Sequence, residues 1–150
     1  MKHSPEFLGV APDILNALRR AAAQSLLRAH APYSRFPVGA ALLTDRGEII
    51  GGCNVENAAY PSGLCAEASA IGQMVSTLGA RPLRAVYVIC QGVEPAWPCG
   101  SCRQRINEFA LPDLLIYTST WEGPPEQSSF AALFPHSFGP RNLGHELLGQ

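Results

Sequence analysis

Three cysteines and one glutamate carry the reactive chemistry of this chain: Cys65-Ala66-Glu67, and further along Pro98-Cys99-Gly100-Ser101-Cys102. Thiolate sulfur suits zinc, a borderline-soft cation held in a tetrahedron, and a site with only three protein ligands leaves the fourth position for water. Glu67, two residues past Cys65, is then placed to handle that water's protons. A lone Cys-x-x-Cys also reads as a redox pair or as half of a structural four-cysteine site. The structural site needs a fourth thiolate, and the remaining candidates, Cys53 and Cys90, lie in apolar runs without ligand-pair spacing. We read those two as inert buried cysteines. The missing fourth ligand favours an open, catalytic position.

The elements that must present these groups follow from periodicity. Ile14, Leu18, Ala22 and Leu26 recur every four positions after Pro12-Asp13, which predicts a helix ending near His30, before Pro32. Val38 to Leu43 and Glu48 to Cys53 are short apolar runs around the turn Thr44-Asp45-Arg46-Gly47, a β-hairpin signature. Leu64 to Leu78 is helical again, with Cys65 and Glu67 in its first turn. Ala85 to Cys90 reads as a strand buried on both faces. Cys102 to Phe109 predicts a helix entered from Pro98-Cys99-Gly100, and Leu114 to Tyr117 a further strand. Trp121 to Gln127 reads as a surface loop and Phe130 to Phe134 as a short helical turn, followed by Pro135-His136-Ser137-Phe138-Gly139-Pro140 and a polar tail. Helices alternating with strands argue an α/β layered domain with helices on both faces of one sheet. In this reading Cys65 and the Cys99/Cys102 pair sit at helix N-termini, where free N–H groups and the dipole stabilise thiolate.

A chain of 150 residues, 47% hydrophobic, suits one domain over 1–150 with a sizeable core. The net charge is −1, Lys2 is the only lysine, and the arginines are scattered, so no footprint for a nucleic-acid backbone is visible. Met1 to Glu6 does not lead into a long apolar stretch, and no run long enough to span a membrane occurs, so we expect a soluble, cytoplasmic protein. Five cysteines cannot all pair within one chain, and in a reducing compartment Cys-x-x-Cys favours metal or redox chemistry. His3, His30, His136 and His145 show no partner pattern and are not proposed as ligands.

With these residues in place, the chain resembles the cytidine deaminase family, in its small three-cysteine form. The resemblance runs from about Tyr33 to Leu143. It is carried in order by Pro32-Tyr33-Ser34-Arg35-Phe36-Pro37-Val38-Gly39-Ala40-Ala41, Gly52-Cys53-Asn54-Val55-Glu56-Asn57-Ala58-Ala59-Tyr60, Cys65-Ala66-Glu67, Pro98-Cys99-Gly100-Ser101-Cys102-Arg103-Gln104 and Ser137-Phe138-Gly139-Pro140. A metal ligand, then x-Glu, then Pro-Cys-x-x-Cys is the general pattern of zinc deaminases. The resemblance implies a three-layer α-β-α sandwich around a central mixed sheet of about five strands. It implies one zinc per chain on Cys65, Cys99 and Cys102, and hydrolysis of the 4-amino group of cytidine and deoxycytidine in pyrimidine salvage. Glu67 would take the water proton, protonate N3 and later serve the departing amine.

By the same resemblance, Asn54 and Glu56 would hydrogen-bond the ribose 3′-hydroxyl, although the residues alone read as a loop cap and a solvated charge. Phe36 and Phe138 would flank the pyrimidine, although alone they read as core phenylalanines. Ala66 would offer its backbone N–H to the base carbonyl. Ala58 and Tyr60 belong to a segment that reaches a neighbouring subunit's site, which implies a homotetramer with shared active sites. Two positions depart from the pattern. Ala68 stands where arginine is common and cannot donate to the sulfurs, which leaves Arg103, backbone amides and Ser69 or Ser101 to balance thiolate charge. Arg141 stands where an acidic residue is usual, a surface change we expect to be neutral. Competing readings are a deaminase of modified cytosine nucleosides of the blasticidin type, a non-catalytic zinc-stabilised module, and deamination of bases within nucleic acid.

Overall fold

Residues on a strand alternate between faces, and the apolar runs of this chain use both faces of one sheet. In the computed structural model, which describes residues 9–146, Ala41 and Leu43 of β1 (Val38–Thr44) face one core with Ala85, Tyr87 and Ile89 of β3 (Leu83–Cys90). Leu42, Val86 and Val88 face another. The first core is closed by α1 (Pro12–Leu26), which presents Leu15, Leu18, Ala22 and Leu26. The second is closed by α2 (Ala66–Leu78), α3 (Gly100–Asn107) and α4 (Phe130–Leu133), through Ala70, Met74, Ile106 and Phe130. The result is the expected three-layer α-β-α sandwich.

The sheet is mixed and has five strands in the order β2-β1-β3-β4-β5, with β2 at Ile49–Cys53, β4 at Ala110–Thr120 and β5 at Glu126–Ser129. β1 runs antiparallel to both β2 and β3, β3 runs parallel to β4, and β4 runs antiparallel to β5. A parallel pair needs a crossover. Here α3 lies in the β3–β4 connection, so the Pro98–Cys102 motif falls at its entry.

Several boundaries differ from expectation for reasons that bear on the site. α1 stops at Leu26 and not near His30, because His30 leaves the helix to pair: its N–H donates to the Asn54 carbonyl at 3.1 Å and its carbonyl accepts from Glu56 N–H at 2.8 Å. α2 starts at Ala66 and not Leu64, since Leu64 exchanges both backbone hydrogen bonds with Val55, each 2.9 Å. α3 is shifted toward its N-terminus, from Gly100 to Asn107. The reading of Trp121 to Gln127 as a surface loop is overturned at its end. Glu126 and Gln127 open β5, pairing with Thr118 and Tyr117. A polar edge strand is held by backbone bonds and has no apolar alternation to announce it. No described helix is long and apolar enough to cross a membrane. Met1 to Glu6 and the last four residues lie outside the described residues.

Candidate active site

Two helices begin at cysteines. Cys65 caps α2 with extended backbone (φ −72°, ψ 158°) and Cys99 caps α3 likewise (φ −65°, ψ 166°). Their carbonyls accept the first intrahelical bonds, from Ser69 N–H at 3.1 Å and Arg103 N–H at 2.9 Å. Cys102 follows in the first turn of α3 and is fully buried. The three sulfurs all lie within 4.8 Å of one another, and those of Cys65 and Cys99 are 4.0 Å apart. Zinc–sulfur bonds of about 2.3 Å in a tetrahedron set sulfurs about 3.8 Å apart. The donor set therefore fits one zinc ion.

The electrostatics agree. The Cys65 thiol is lowered to about 6, chiefly because the Cys102 thiol hydrogen-bonds to it, with Cys99 and the charge of Arg105 adding and burial opposing. Cys102 is raised, first because it is the partner holding the proton for Cys65, then by burial and by the negative charge of Glu67, Cys65 and Cys99. Thiols this close ionise at one another's expense, a conflict that a cation among them removes.

Glu67 lies in the first turn of α2 and is only 5% exposed. Burial holds its carboxyl above the usual range, and the charge of Cys65 adds to this. Its position depends on a glycine. A side chain at Gly52 of β2 would run into the Ala70 N and the Ala66 carbonyl oxygen, so its absence lets the start of α2 lie directly on the sheet. On the other side, the segment before Cys99 is pinned by Thr118 Oγ1 donating to Ala96 O at 2.8 Å and Arg103 Nε donating to Pro98 O at 2.7 Å.

Cys65, Ala66, Glu67 and Cys99 open on a cleft of about 360 Å³. Asn54, Glu56 and Tyr60 contribute polar groups to its lining, and Val38, Leu64, Val88 and Trp97 apolar ones. A hollow of about 410 Å³ beyond α4, near His136 and Arg141, holds none of these thiols and no comparable cluster. Asn54 fills the loop-cap role as well: its Oδ1 accepts from Val38 N–H and its Nδ2 donates to Phe36 O, each 2.9 Å. Glu56 is no idle surface charge. It accepts from Tyr33 N–H and Ser34 N–H, each at 3.0 Å, and these bonds hold it below the usual carboxylate range.

Not every expected residue converges. Phe36 is 38% exposed, with its ring edge beside Gly92, and like the exposed Ala58 it is not part of the cleft lining. Phe138 is 59% exposed and also off it, tethered through its carbonyl by Gln104 Nε2 at 3.0 Å and Asn107 Nδ2 at 3.1 Å. Neither phenylalanine is a core residue. Arg103 turns its guanidinium to backbone carbonyls, that of Pro98 and, at 2.7 Å, that of Leu133. The arginine whose charge lowers Cys65 and opposes the rise at Glu67 is Arg105. Sequence reasoning missed Arg105 and Trp97. The only signals for them were adjacency to the Cys-x-x-Cys motif and, for Arg105, the one-turn spacing from Ser101.

Comparison with known proteins points the same way. Residues 13–118 match the family described as the cytidine and deoxycytidylate deaminase zinc-binding region. The chain is 42% identical over 118 residues to a cytidine deaminase of Sporosarcina psychrophila, covering 79% of this chain and 86% of that protein. It is 40% identical over 136 residues to a cytidine deaminase of Mycobacterium tuberculosis, covering 90% and 98%. Its fold is similar to the crystal structure of cytidine deaminase from Burkholderia pseudomallei, with a TM-score of 0.76, 39% identity, and coverage of 82% of this chain and 98% of that one. Three convergent cysteines beside a buried glutamate, on a sandwich shared with these enzymes, make this chain a member of the cytidine and deoxycytidylate deaminase zinc-binding family.

Proposed function

We propose that this chain hydrolyses cytidine and deoxycytidine to uridine and deoxyuridine with release of ammonia, as a pyrimidine-salvage enzyme carrying one zinc ion. The observation that carries the reading is Glu67, a buried carboxyl that shares a cleft with Cys65 and Cys99, two of three thiols spaced for one metal ion. Cys65, Cys99 and Cys102 hold the zinc, which when bound supplies Lewis acidity that brings water toward ionisation near neutral pH.

The chain's own groups do the rest. Glu67 accepts a proton from the attacking water and delivers it to N3 of the ring. It then passes the second water proton to the exocyclic nitrogen as the C4–N bond breaks. One C4–O bond forms, one water is consumed, ammonia leaves, and Glu67 ends in the protonation state in which it began. Ala66 offers its backbone N–H to the base carbonyl. Asn54 and Glu56 orient the sugar through its 3′-hydroxyl, and their place in the lining of the cleft supports this.

Ala58 and Phe138, exposed and off their own chain's cleft lining, support a homotetramer in which they complete a neighbour's site with Phe36 across the base, while Tyr60, exposed although it lines its own cleft, is open to the same neighbour. Five free cysteines among the described residues are in keeping with the reducing cytoplasm. The absence of a side-chain donor at Ala68 keeps modified cytosine nucleosides as a second reading, separated by comparing turnover on them with turnover on cytidine.

Loss of the cytidine absorbance band on adding zinc-loaded protein tests the activity. Glu67→Gln is expected to keep its zinc and lose at least about a hundredfold in kcat. A variant with near-normal turnover would remove Glu67 from this role, and a wild type inactive on both nucleosides would overturn the substrate assignment.

A further inference from the structure

We propose that Arg105 is the counter-charge of the three-cysteine centre, a positioning residue that strengthens metal binding through the field of its guanidinium without touching substrate. The inference rests on the zinc reading above. Three thiolates around a divalent cation leave the cluster with a net negative charge, which is costly so close to the buried carboxyl of Glu67. A nearby cation relieves it.

The residues flanking the cysteines leave few sources for that cation. Ala68, in the first turn of α2, ends in a methyl group. Arg103 commits Nε and Nη1 to the carbonyls of Pro98 and Leu133. Arg105 is disposed differently. It lies one turn beyond Ser101 on α3, and helical side chains lean toward the N-terminus of their helix. Its Nη1 donates to Ser101 Oγ. Ser101 sits between Cys99 and Cys102, so this bond draws the guanidinium back to the end of α3 where the thiols gather.

One further argument supports the assignment. A cation drawn toward the positive end of a helix is unfavourable unless anionic charge is held there. The thiolates supply that charge. Because Arg105 is exposed, its contribution is screened by salt.

The test is a zinc competition titration against a chromophoric chelator at low ionic strength. It uses the full-length chain, Arg105→Gln, Arg105→Lys, and Arg84→Gln as a remote exposed-cation control. Gln and Lys resemble Arg in helix propensity, and thermal melts of the zinc-loaded forms verify that each variant folds. We expect Arg105→Gln to bind zinc about tenfold more weakly, Arg105→Lys to recover most of the loss, and Arg84→Gln to match wild type. The gap between wild type and Arg105→Gln should close as salt is raised. In cobalt-substituted protein, the thiolate-to-metal charge-transfer bands should shift in Arg105→Gln and stay fixed in Arg84→Gln.

Equal zinc affinity of wild type and Arg105→Gln at low salt would overturn the inference. So would equal losses in the Gln and Lys variants at every salt concentration, which would make the residue a structural one. A wild-type chain that takes up no zinc would instead bring down the zinc reading itself.

Discussion

Glu56 lines the cleft yet already uses its carboxylate on the backbone of Tyr33 and Ser34. Asn54 likewise braces both Val38 and Phe36. Both side chains are thus fixed before any ligand arrives, which lowers the entropic cost of binding one. The bonds to Glu56 also fix the sign of a pH effect. Its folded pKa lies below the ordinary 4.5, chiefly through the Ser34 N–H. The charge therefore stabilises the fold fully above about pH 4.5, and that contribution is lost as pH falls through the folded value. The difference in urea midpoint between wild type and Glu56→Gln should be level from neutrality down to that point and shrink below it. A difference that widens in acid would contradict the assignment.

At the scale of elements, the site is the meeting of two helix starts, and the contact of α2 with β2 sets its accuracy. Adding a methyl at Gly52 presses on the backbone of Ala66 and Ala70, which cannot rotate away as a side chain would. Gly52→Ala should cost roughly 1–3 kcal/mol in urea denaturation. It should also lower kcat by on the order of a hundredfold, because the first turn of α2 carries Cys65 and Glu67 outward together. Unchanged kcat in a destabilised variant would show that α2 tolerates the shift. This contact was not legible in the sequence, where Gly52 belongs to an apolar run and to a segment of the resemblance but nothing announces the approach of α2. The helices themselves were, since Leu18, Ala22, Met74 and their neighbours declare their period. The cysteines were legible through chemistry that few other residue types can perform. What escaped depends on partners far apart in the chain. β5 is held by β4, the end of α1 is set by Asn54, and Arg103 is turned aside by Leu133.

For the whole molecule, Phe138 poses the main question, because its ring stands exposed and away from its own cleft lining. If it completes a neighbour's site, Phe138→Ala and Glu67→Gln chains will each be nearly inactive alone, and refolding them together will restore part of the activity. Each hybrid assembly then holds some sites with one intact glutamate and one intact phenylalanine. Absence of recovery in confirmed hybrids would return Phe138 to its own chain. The two cores have a separate consequence. The three clustered thiols and Glu67 lie at the starts of α2 and α3, the helices on one side of the sheet. α1 covers the other side and is tied to the far loop by Arg19, which donates to Trp121 O at 3.0 Å and Gly123 O at 2.9 Å. A lineage can therefore retune the melting temperature of this protein through α1, adapting to a hotter or colder habitat, while its catalytic apparatus is inherited unchanged.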